Sequence, residues 1–325
     1  MLHVYACHNE TLRQVEPDHQ EPAIVWYDLL SPTPEEDRAV EQAAGIAIPS
    51  RDEMEEIELS SRLYQEEGAV FMTLTALAQL DTDEPLKTPV TFILTSRALV
   101  TVRYADPRPF EAYCLRAARG NAGACNSGEA VMMGLIEAMS DRIADALEKA
   151  SNDVDKLSRE VFRKTSNNAR RNTRNLQSVI EQIGRRSETL TMIQEALVSM
   201  GRLVAYHGAL ERAANGSKSS IRQMAKLIQR DAASLNEYAE SLSDRLTFLL
   251  DATLGLINLE QNGIIKIFSV AAVVFLPPTL VASIYGMNFE HMPELGWQFG
   301  YPWAIGLMVL SAVLPYLFFK RKGWL

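Results

Sequence analysis

Cysteine is scarce in this sequence and is not arranged as a disulfide framework. The 325 residues contain three, Cys7, Cys114 and Cys125, and no Cys-x-x-Cys pair. An odd, widely spaced set argues against the paired cysteines of small secreted domains. We therefore expect three free thiols in a reducing compartment.

Catalytic fingerprints are also missing. The chain has no GxGxxG segment, no P-loop and no GxSxG elbow, and its five histidines form no evident constellation with Cys or Ser. The sequence therefore predicts that the protein is not an enzyme and has no organic cofactor.

The first six residues, from Met1 to Ala6, lack the basic region and long apolar core of a signal peptide. Residues 1–263 hold 28 of the 32 Lys and Arg and 39 of the 41 Asp and Glu, a net charge of −11. This acidic excess argues against nucleic-acid binding and fits attraction of cations, although a plain acidic surface explains the same number.

Long apolar runs are absent until the C-terminus, where there are two. Residues 264–285 are 22 residues with one charge, Lys266, and residues 301–319 are 19 residues with none. About 20 apolar residues span a bilayer as a helix, so both runs predict transmembrane helices. Two buried helices of a soluble core are the alternative, but such helices rarely give two runs of this kind at a chain end.

The segments that flank these runs predict the topology. The loop of residues 286–300 contains Glu290 and Glu294 and no Lys or Arg, whereas the tail of residues 320–325 begins Lys320-Arg321-Lys322. By the positive-inside rule, both termini are cytoplasmic, and the protein is integral to the cell (inner) membrane.

Residues 1–127 predict a cytoplasmic α/β domain. Runs rich in β-formers predict four strands, at residues 24–29, 70–80, 90–95 and 99–104. Capping boxes at Thr33/Glu36 and Ser50/Glu53 predict two short helices. The glycine-rich residues 120–128 are the expected boundary.

Beyond that boundary the pattern is helical. Residues 128–217 predict a cytoplasmic helical hairpin, and residues 218–263 predict a stalk helix that continues into the first span. The stalk and the first span together give one helix of 67 residues from Ser219 to Tyr285, about 100 Å long. Apolar residues fall at seven-residue intervals along it and predict a coiled, associating helix; they are Ile221, Ile228, Leu235, Leu242, Leu249 and Leu256.

The junction between the two spans carries a recognisable motif. It reads Tyr285-Gly286-Met287-Asn288-Phe289, followed by Met292-Pro293-Glu294. A Gly-Met-Asn triplet at the outer end of the penultimate of two C-terminal spans resembles the CorA family of magnesium channels and transporters. The specific resemblance covers residues 262–325; upstream it is one of architecture. It implies a homo-oligomer, a pentamer by family resemblance, that carries Mg²⁺.

The triplet has a plausible ion chemistry. Mg²⁺ holds its water tightly, so an entrance selects the hydrated ion most easily through neutral oxygen acceptors. Asn288 offers a side-chain carbonyl, Gly286 lets backbone carbonyls approach an axis, and Met287 lies between them. The resemblance makes this triplet the selectivity filter. On the residues alone, Gly286 and Asn288 equally fit a helix C-cap.

A small or polar face leads inward from the triplet. Steps of three and four residues inward from Gly286 give the pore-lining candidates Ser283, Thr279, Leu276, Ala272, Ser269, Ile265 and Asn262. The family's pore has an Asn at its inner end and apolar constrictions above it, which adds Phe268 and leaves open whether Phe268 or Ser269 faces the pore. Rings of Leu276 or Ile265 would gate by dewetting or simply pack helices. Pro277-Pro278 are a hinge or a fixed bend.

Other residues have weaker assignments. Glu290 and Glu294 would concentrate cations at the mouth, and His291 fits a loop residue better than a metal ligand. The family binds regulatory magnesium between its soluble domains; the regional equivalents are Asp231 and Asp83, within Asp81–Glu84, and surface charge explains them equally well. Mg²⁺ is thus the transported ion and a candidate regulatory ion.

The expected function is therefore a divalent-cation channel for influx of Mg²⁺, and also of Co²⁺ or Ni²⁺, gated through the stalk helix. A zinc transporter of the same superfamily is one alternative, although Met287 favours magnesium. A membrane-tethered coiled-coil sensor or scaffold is the alternative from a different class.

Overall fold

A computed structural model describes residues 1–16, 24–82, 84–120, 125–162, 169–214, 219–288, 292 and 296–324. An α/β segment comes first, long helices follow, and two apolar helices end the chain, which confirms the predicted fold class. The chain divides into two compact units: residues 1–162 with 181–249, and residues 163–180 with 250–325.

A seven-stranded sheet organises the first unit. The strands are β1 (Leu2–His8), β2 (Thr11–Val15), β3 (Ile24–Leu30), β4 (Leu63–Glu66), β5 (Ala69–Ala78), β6 (Leu86–Leu94) and β7 (Leu99–Arg103). Their order is β2-β1-β3-β7-β6-β5-β4. The central β3–β7 pair is parallel, and the other pairs are antiparallel.

Short helices cover both faces of this sheet. They are α1 (Pro34–Ala44), α2 (Arg51–Glu55), α3 (Leu59–Arg62) and α4 (Arg108–Ala118). Both capping boxes form as predicted: the Thr33 hydroxyl accepts from the Glu36 N–H, and the Ser50 hydroxyl accepts from the Glu53 N–H. Helices α1 and α2 lie over an apolar cluster of β3, β5, β6 and β7, while α4 packs on the opposite side beside the next helix.

The centre of the sheet encloses a buried polar network. Arg103 Nε donates to Asp28 Oδ1 at 3.0 Å, and Arg103 Nη2 donates to Asp28 Oδ2 at 2.8 Å. The Thr101 hydroxyl donates to Asp28 at 2.7 Å and accepts from the Trp26 indole at 2.9 Å. Because a buried charge is costly unless it is paired, this network fixes the parallel pairing of β3 with β7.

Three long helices follow the sheet: α5 (Gly128–Phe162), α6 (Ala169–Ala214) and α7 (Ser219–Tyr285). Helix α5 packs closely on the sheet and on α4, since a Cβ on Gly128 would lie 2.4 Å from the Leu99 nitrogen of β7, and one on Gly134 would lie 2.4 Å from the Tyr113 ring of α4. Arg186 bonds Asp153 at 3.0 Å between α6 and α5, and Arg245 bonds Asp155 between α7 and α5.

The apolar stripe of α7 is covered within the first unit. Buried residues recur at alternating steps of four and three, except at Leu235, which is half-buried; they are Ile221, Ala225, Ile228, Ala232, Ala239, Leu242, Leu246 and Leu249. This is the spacing of coiled-coil packing. Between Ile221 and Leu249, the predicted heptad therefore packs against helices of its own chain, so it does not by itself supply an interface for another subunit.

The three cysteines are free thiols in the structure. They are less scattered in space than in sequence, because the sulfurs of Cys7 and Cys125 lie 2.8 Å apart. Burial raises the pKa of Cys114 to about 11 and that of Cys125 to about 12, so both hold their protons at neutral pH.

The second unit contains the C-terminal part of α7 and the last helix, α8 (Gly300–Arg321). Helix α7 continues without interruption through Pro277 and Pro278. The Thr279 hydroxyl donates to the Phe275 carbonyl at 2.8 Å in the same turn.

Candidate functional site

Two helices are long and apolar enough to cross a membrane: residues 220–285 of α7, through their apolar C-terminal portion, and Gly300–Arg321 of α8. Within 264–285 and 301–319, all of which the structure describes, Val270 and Ala304 are the only fully buried apolar residues. So much exposed apolar surface needs lipid or further protein to cover it.

Aromatic side chains cluster at both ends of α8. The Trp297 ring lies 6.2 Å from that of Trp303 at the start of the helix, and the Phe319 ring lies 5.2 Å from that of Trp324 at its end. Tryptophan is enriched at the two interfaces of a bilayer because its ring is apolar and its N–H is polar. The spacing of these clusters therefore fits one complete crossing.

Helix α7 ends at the Gly-Met-Asn triplet. The Gly286 N–H donates to the Ala282 carbonyl at 3.0 Å, and the Met287 N–H donates to the Ile284 carbonyl at 3.3 Å. The last turn thus tightens before the chain leaves the helix. Neither Gly286 nor Asn288 has positive φ, so the helix does not end in the left-handed form of the C-cap that glycine commonly adopts.

Crowding explains the glycine at this exit. A Cβ on Gly286 would lie 3.1 Å from the Ala282 carbonyl oxygen and 3.6 Å from that of Ser283. Met287 and Asn288 are exposed, and their backbone is no longer helical. The exit therefore presents an exposed side-chain amide where the helix ends.

Every proposed pore-lining residue is exposed in the single chain. These are Asn262, Ile265, Phe268, Ser269, Ala272, Leu276, Thr279 and Ser283. The partly or fully buried residues of the span are others, namely Val270, Ala271, Val274, Pro277, Pro278, Val281 and Tyr285. Phe268 and Ser269 are both exposed, so burial does not separate them.

The loop after the triplet falls largely outside the described residues. Phe289, Glu290 and His291 lie there, as do residues 293–295, which include Glu294. The assignments of Glu290 and Glu294 to cation attraction therefore stay predictions.

The candidate regulatory carboxylates differ in their surroundings. Asp231 is exposed on α7, and Asp83 lies outside the described residues. Its neighbour Asp81 forms ion pairs with Arg142 and Arg108. The hydrogen bond from Arg142, with the charge of Arg108, lowers the pKa of Asp81. Asp81 is thus already paired with two arginines of its own chain.

Sequence reasoning missed two buried groups in the first unit. One is the Asp28–Arg103 pair, which could have been suspected from lone charges inside two apolar strands. The other is a cluster of Glu129, His207 and Glu211, whose ligand atoms lie within 4.8 Å of one another. The i, i+4 spacing of His207 and Glu211 was a signal for it, but the distant Glu129 was not readable without the helix pairing.

Comparison with known families covers nearly the whole chain. A family model described as "CorA-like Mg2+ transporter protein" matches residues 21–321. The magnesium transport protein CorA of Pasteurella multocida (strain Pm70) is 36% identical over 301 residues, which are 93% of this chain and 92% of the relative. That of Escherichia coli (strain K12) is 34% identical over 327 residues, which cover 100% of both.

Solved structures share the fold at lower identity. The complete CorA magnesium transporter of Methanocaldococcus jannaschii superposes with a TM-score of 0.79 at 16% identity, covering 100% of this chain and 99% of that one. Full-length CmaX gives 0.67 at 15% identity, over 100% and 98% of the two chains. The cytoplasmic domain of ZntB from Vibrio parahaemolyticus gives 0.58 at 13% identity, over 79% of this chain and 97% of that domain.

Proposed function

The chain belongs to the family of CorA-like Mg²⁺ transporter proteins, and we propose on this basis that it is a homo-oligomeric channel for Mg²⁺ influx across the inner membrane. The pore is formed by the C-terminal part of α7 from each subunit, and the subunit number is five by family resemblance. Both termini of the chain lie in the cytoplasm.

One observation carries the proposal: the face of α7 that runs from Asn262 to Ser283, just before the Gly-Met-Asn triplet, is exposed along its whole length. From Ser283 inward it is small or polar, and it becomes bulky and apolar at Leu276, Phe268 and Ile265. Lipid would suit the apolar residues but not Asn262, Ser269 or Asn288. A symmetric ring of identical helices would cover all of them around an axis.

The ring of Asn288 is proposed as the selectivity filter. One amide is a weak acceptor, but several around an axis can hold the water shell of Mg²⁺ without removing it. Gly286 allows the chain to turn there without a side chain in the way. Below the filter, the rings of Leu276 and Ile265 are the proposed apolar constrictions that exclude water in a closed state.

Gating through the stalk is the finer part of the proposal. Helix α7 is continuous from Ser219 to Tyr285, so a movement of its soluble part would be carried to Leu276 along one helix. Mg²⁺ bound between subunits at Asp231 and Asp83 would favour the closed state by neutralising carboxylate repulsion. Co²⁺ and Ni²⁺ are proposed as further permeant ions because they match Mg²⁺ in charge and preferred octahedral coordination.

Two other functions can be separated from this one. The fold shared with ZntB keeps a zinc transporter as the alternative within the superfamily. A membrane-tethered scaffold is the alternative without transport, but it gives no reason for a small and polar face along the span.

The test is ion flux into liposomes that contain the purified full-length protein and an internal Mg²⁺ indicator. We expect Mg²⁺ influx that increases with a negative internal potential, and influx of Co²⁺ and Ni²⁺ in parallel assays. Larger flux of Zn²⁺ than of Mg²⁺ would favour the zinc transporter. No flux of any divalent ion, with the protein correctly oligomeric, would favour the scaffold.

A further inference from the structure

Three potential metal ligands meet in the first unit, away from the proposed pore. Glu129 is the second residue of α5, and His207 and Glu211 lie in the last two turns of α6. One ligand atom from each lies within 4.8 Å of the others. His207 Nε2 and Glu129 Oε1 are already 2.9 Å apart.

The helix pairing explains why these residues converge. His207 and Glu211 are four residues apart, so they project from the same face of α6. The hairpin runs α6 back along α5, which brings the C-terminal turns of α6 to the first turn of α5. A carboxylate such as Glu129 is favoured in a first turn by the helix dipole, so its own helix holds it in position.

Burial distinguishes this group from a surface cluster of charges. His207 is 3% exposed, and the side chain of Glu129 is 19% exposed. The Oε2 atom of Glu211 is buried and has no hydrogen-bond partner among the described residues. A buried carboxylate oxygen without a partner is costly, and a cation held between the three groups would satisfy it.

We propose that Glu129, His207 and Glu211 bind one divalent transition-metal ion of the Zn²⁺ class in each chain. An imidazole nitrogen with two carboxylates is a ligand set that suits Zn²⁺, Co²⁺ or Ni²⁺, whereas Mg²⁺ takes oxygen ligands almost exclusively. Three protein ligands leave the fourth tetrahedral position to a water molecule. The site is therefore chemically distinct from the pore, and it goes beyond the proposed transport function.

The bound ion has a mechanical consequence. It joins the first turn of α5 to the last turns of α6, and α5 packs directly on the sheet. The ion therefore cross-links α5 to α6 at the end of the helical hairpin that lies next to the sheet. Because imidazole is a poor ligand for Mg²⁺, millimolar Mg²⁺ does not replace the bound ion, and the first unit responds to transition metal independently of Mg²⁺.

The experiment is a Zn²⁺ titration of the purified full-length protein in detergent with excess Mg²⁺ present throughout. Calorimetry and elemental analysis should give one zinc ion per chain, with a rise in melting temperature that saturates at the same ratio. Glu211→Gln should weaken Zn²⁺ binding by more than about 100-fold, since even outer-shell changes cost 10–100-fold. His207→Gln should do the same.

Glu211→Gln also guards against misfolding, since it removes a buried charge while keeping the His207–Glu129 contact. His8→Gln is the matched control, because His8 is exposed at the end of β1, and it should bind zinc like the wild type. Wild-type zinc affinity in Glu211→Gln would overturn the proposal, as would absence of zinc binding in the parent protein.

The Cys7–Cys125 pair is the competing place for zinc. Cobalt substitution distinguishes the two, because thiolate ligands give an intense near-ultraviolet charge-transfer band that nitrogen and oxygen ligands do not. We expect no such band, and we expect Cys7→Ser to leave the Zn²⁺ titration unchanged. A thiolate band, or loss of the site in Cys7→Ser, would overturn the assignment to His207.

Discussion

The ammonium group of Lys266 lies 5.9 Å from the centre of the Trp324 ring. Lys266 is the one charged residue of the first span, near its inner end, and Trp324 follows the second span. A cation at this distance from an indole face is attracted by it. The contact places the start of the first span beside the end of the second. The two spans therefore form an antiparallel hairpin, whose first and last residues lie on the same side of the membrane.

This contact leads to a prediction about topology. The lysines and arginine at 320–322 would lie on the same side as Lys266, and positively charged segments stay in the cytoplasm. A green fluorescent protein fused after the last residue should therefore fluoresce, and alkaline phosphatase fused there should be inactive. A fusion after Asn288 should give the reverse. Active phosphatase at the C-terminus would contradict the orientation.

The Asp28–Arg103 pair predicts a large effect on stability. Asp28→Asn removes one partner of a buried pair, which costs about 3–5 kcal/mol of unfolding free energy. We expect the lower end of that range, because Arg103 keeps its ion pair with Asp106. The measurement is the melting temperature of the detergent-solubilised protein. Glu55→Gln is the control, since its pair with Arg51 is exposed and should contribute about 0–1 kcal/mol.

The same pair has a defined pH dependence. Burial alone would raise the pKa of Asp28, but hydrogen bonds from His3 and Arg103 more than offset this and lower it. Its stabilisation is therefore fully present above the unfolded value of about 3.9 and is lost as the pH falls through the lowered folded pKa. The difference between wild type and Asp28→Asn should shrink below about pH 4; a constant difference would show that Asp28 acts through packing.

The loop charges predict a salt-dependent uptake rate. Glu290→Gln combined with Glu294→Gln should slow initial Mg²⁺ uptake up to about tenfold at low ionic strength. The deficit should fade as salt shortens the Debye length to about 10 Å at 0.1 M. Glu237→Gln with Glu240→Gln removes the same charge from exposed positions of α7 and should have little effect. An equal deficit at high salt would indicate direct coordination.

The proposed regulatory Mg²⁺ site predicts variants whose inhibition by internal Mg²⁺ changes while their Mg²⁺ conduction does not. Asp231→Ala, alone or with Asp83→Ala, should leave Mg²⁺ flux intact and weaken its inhibition by internal Mg²⁺, because the closed state loses its preferential ligand. Asp244→Ala is the control: Asp244 is exposed on the same helix, roughly 140° around its axis at 100° per residue. Limited proteolysis should show Mg²⁺ protecting the wild type more than Asp231→Ala. Unchanged inhibition and equal protection would make Asp231 ordinary surface charge.

The parts of the fold with a local signal were predictable. Capping boxes marked the starts of α1 and α2, and uninterrupted helix formers gave α7 the same ends, Ser219 and Tyr285, in sequence and structure. Strands β1, β2 and β4 and helices α3 and α4 were missed. Strand β1 mixes polar and apolar residues, and β2 and β4 are short edge partners, so pairing with neighbours rather than their own pattern makes them strands.

Contacts between residues far apart in the chain could not be predicted from the sequence, because they too depend on which elements pack together. The heptad of α7 predicted a coiled, associating helix, but its period does not specify which helices cover it. The Glu129 and His207 pair joins residues 78 positions apart, and the two arginines that neutralise Asp81 come from α4 and α5. In contrast, the Gly-Met-Asn triplet is contiguous, so the candidate filter was recognisable directly.

The central claim is that a ring of Asn288 selects hydrated Mg²⁺, and its most direct test is ion selectivity of Asn288→Ala in liposomes. Oligomer size should match the wild type and Asn152→Ala, a control at an exposed position of α5. We expect Asn288→Ala to lose the preference for Mg²⁺ over monovalent cations while Asn152→Ala retains it. Wild-type Mg²⁺ selectivity in a correctly assembled Asn288→Ala protein would contradict the filter.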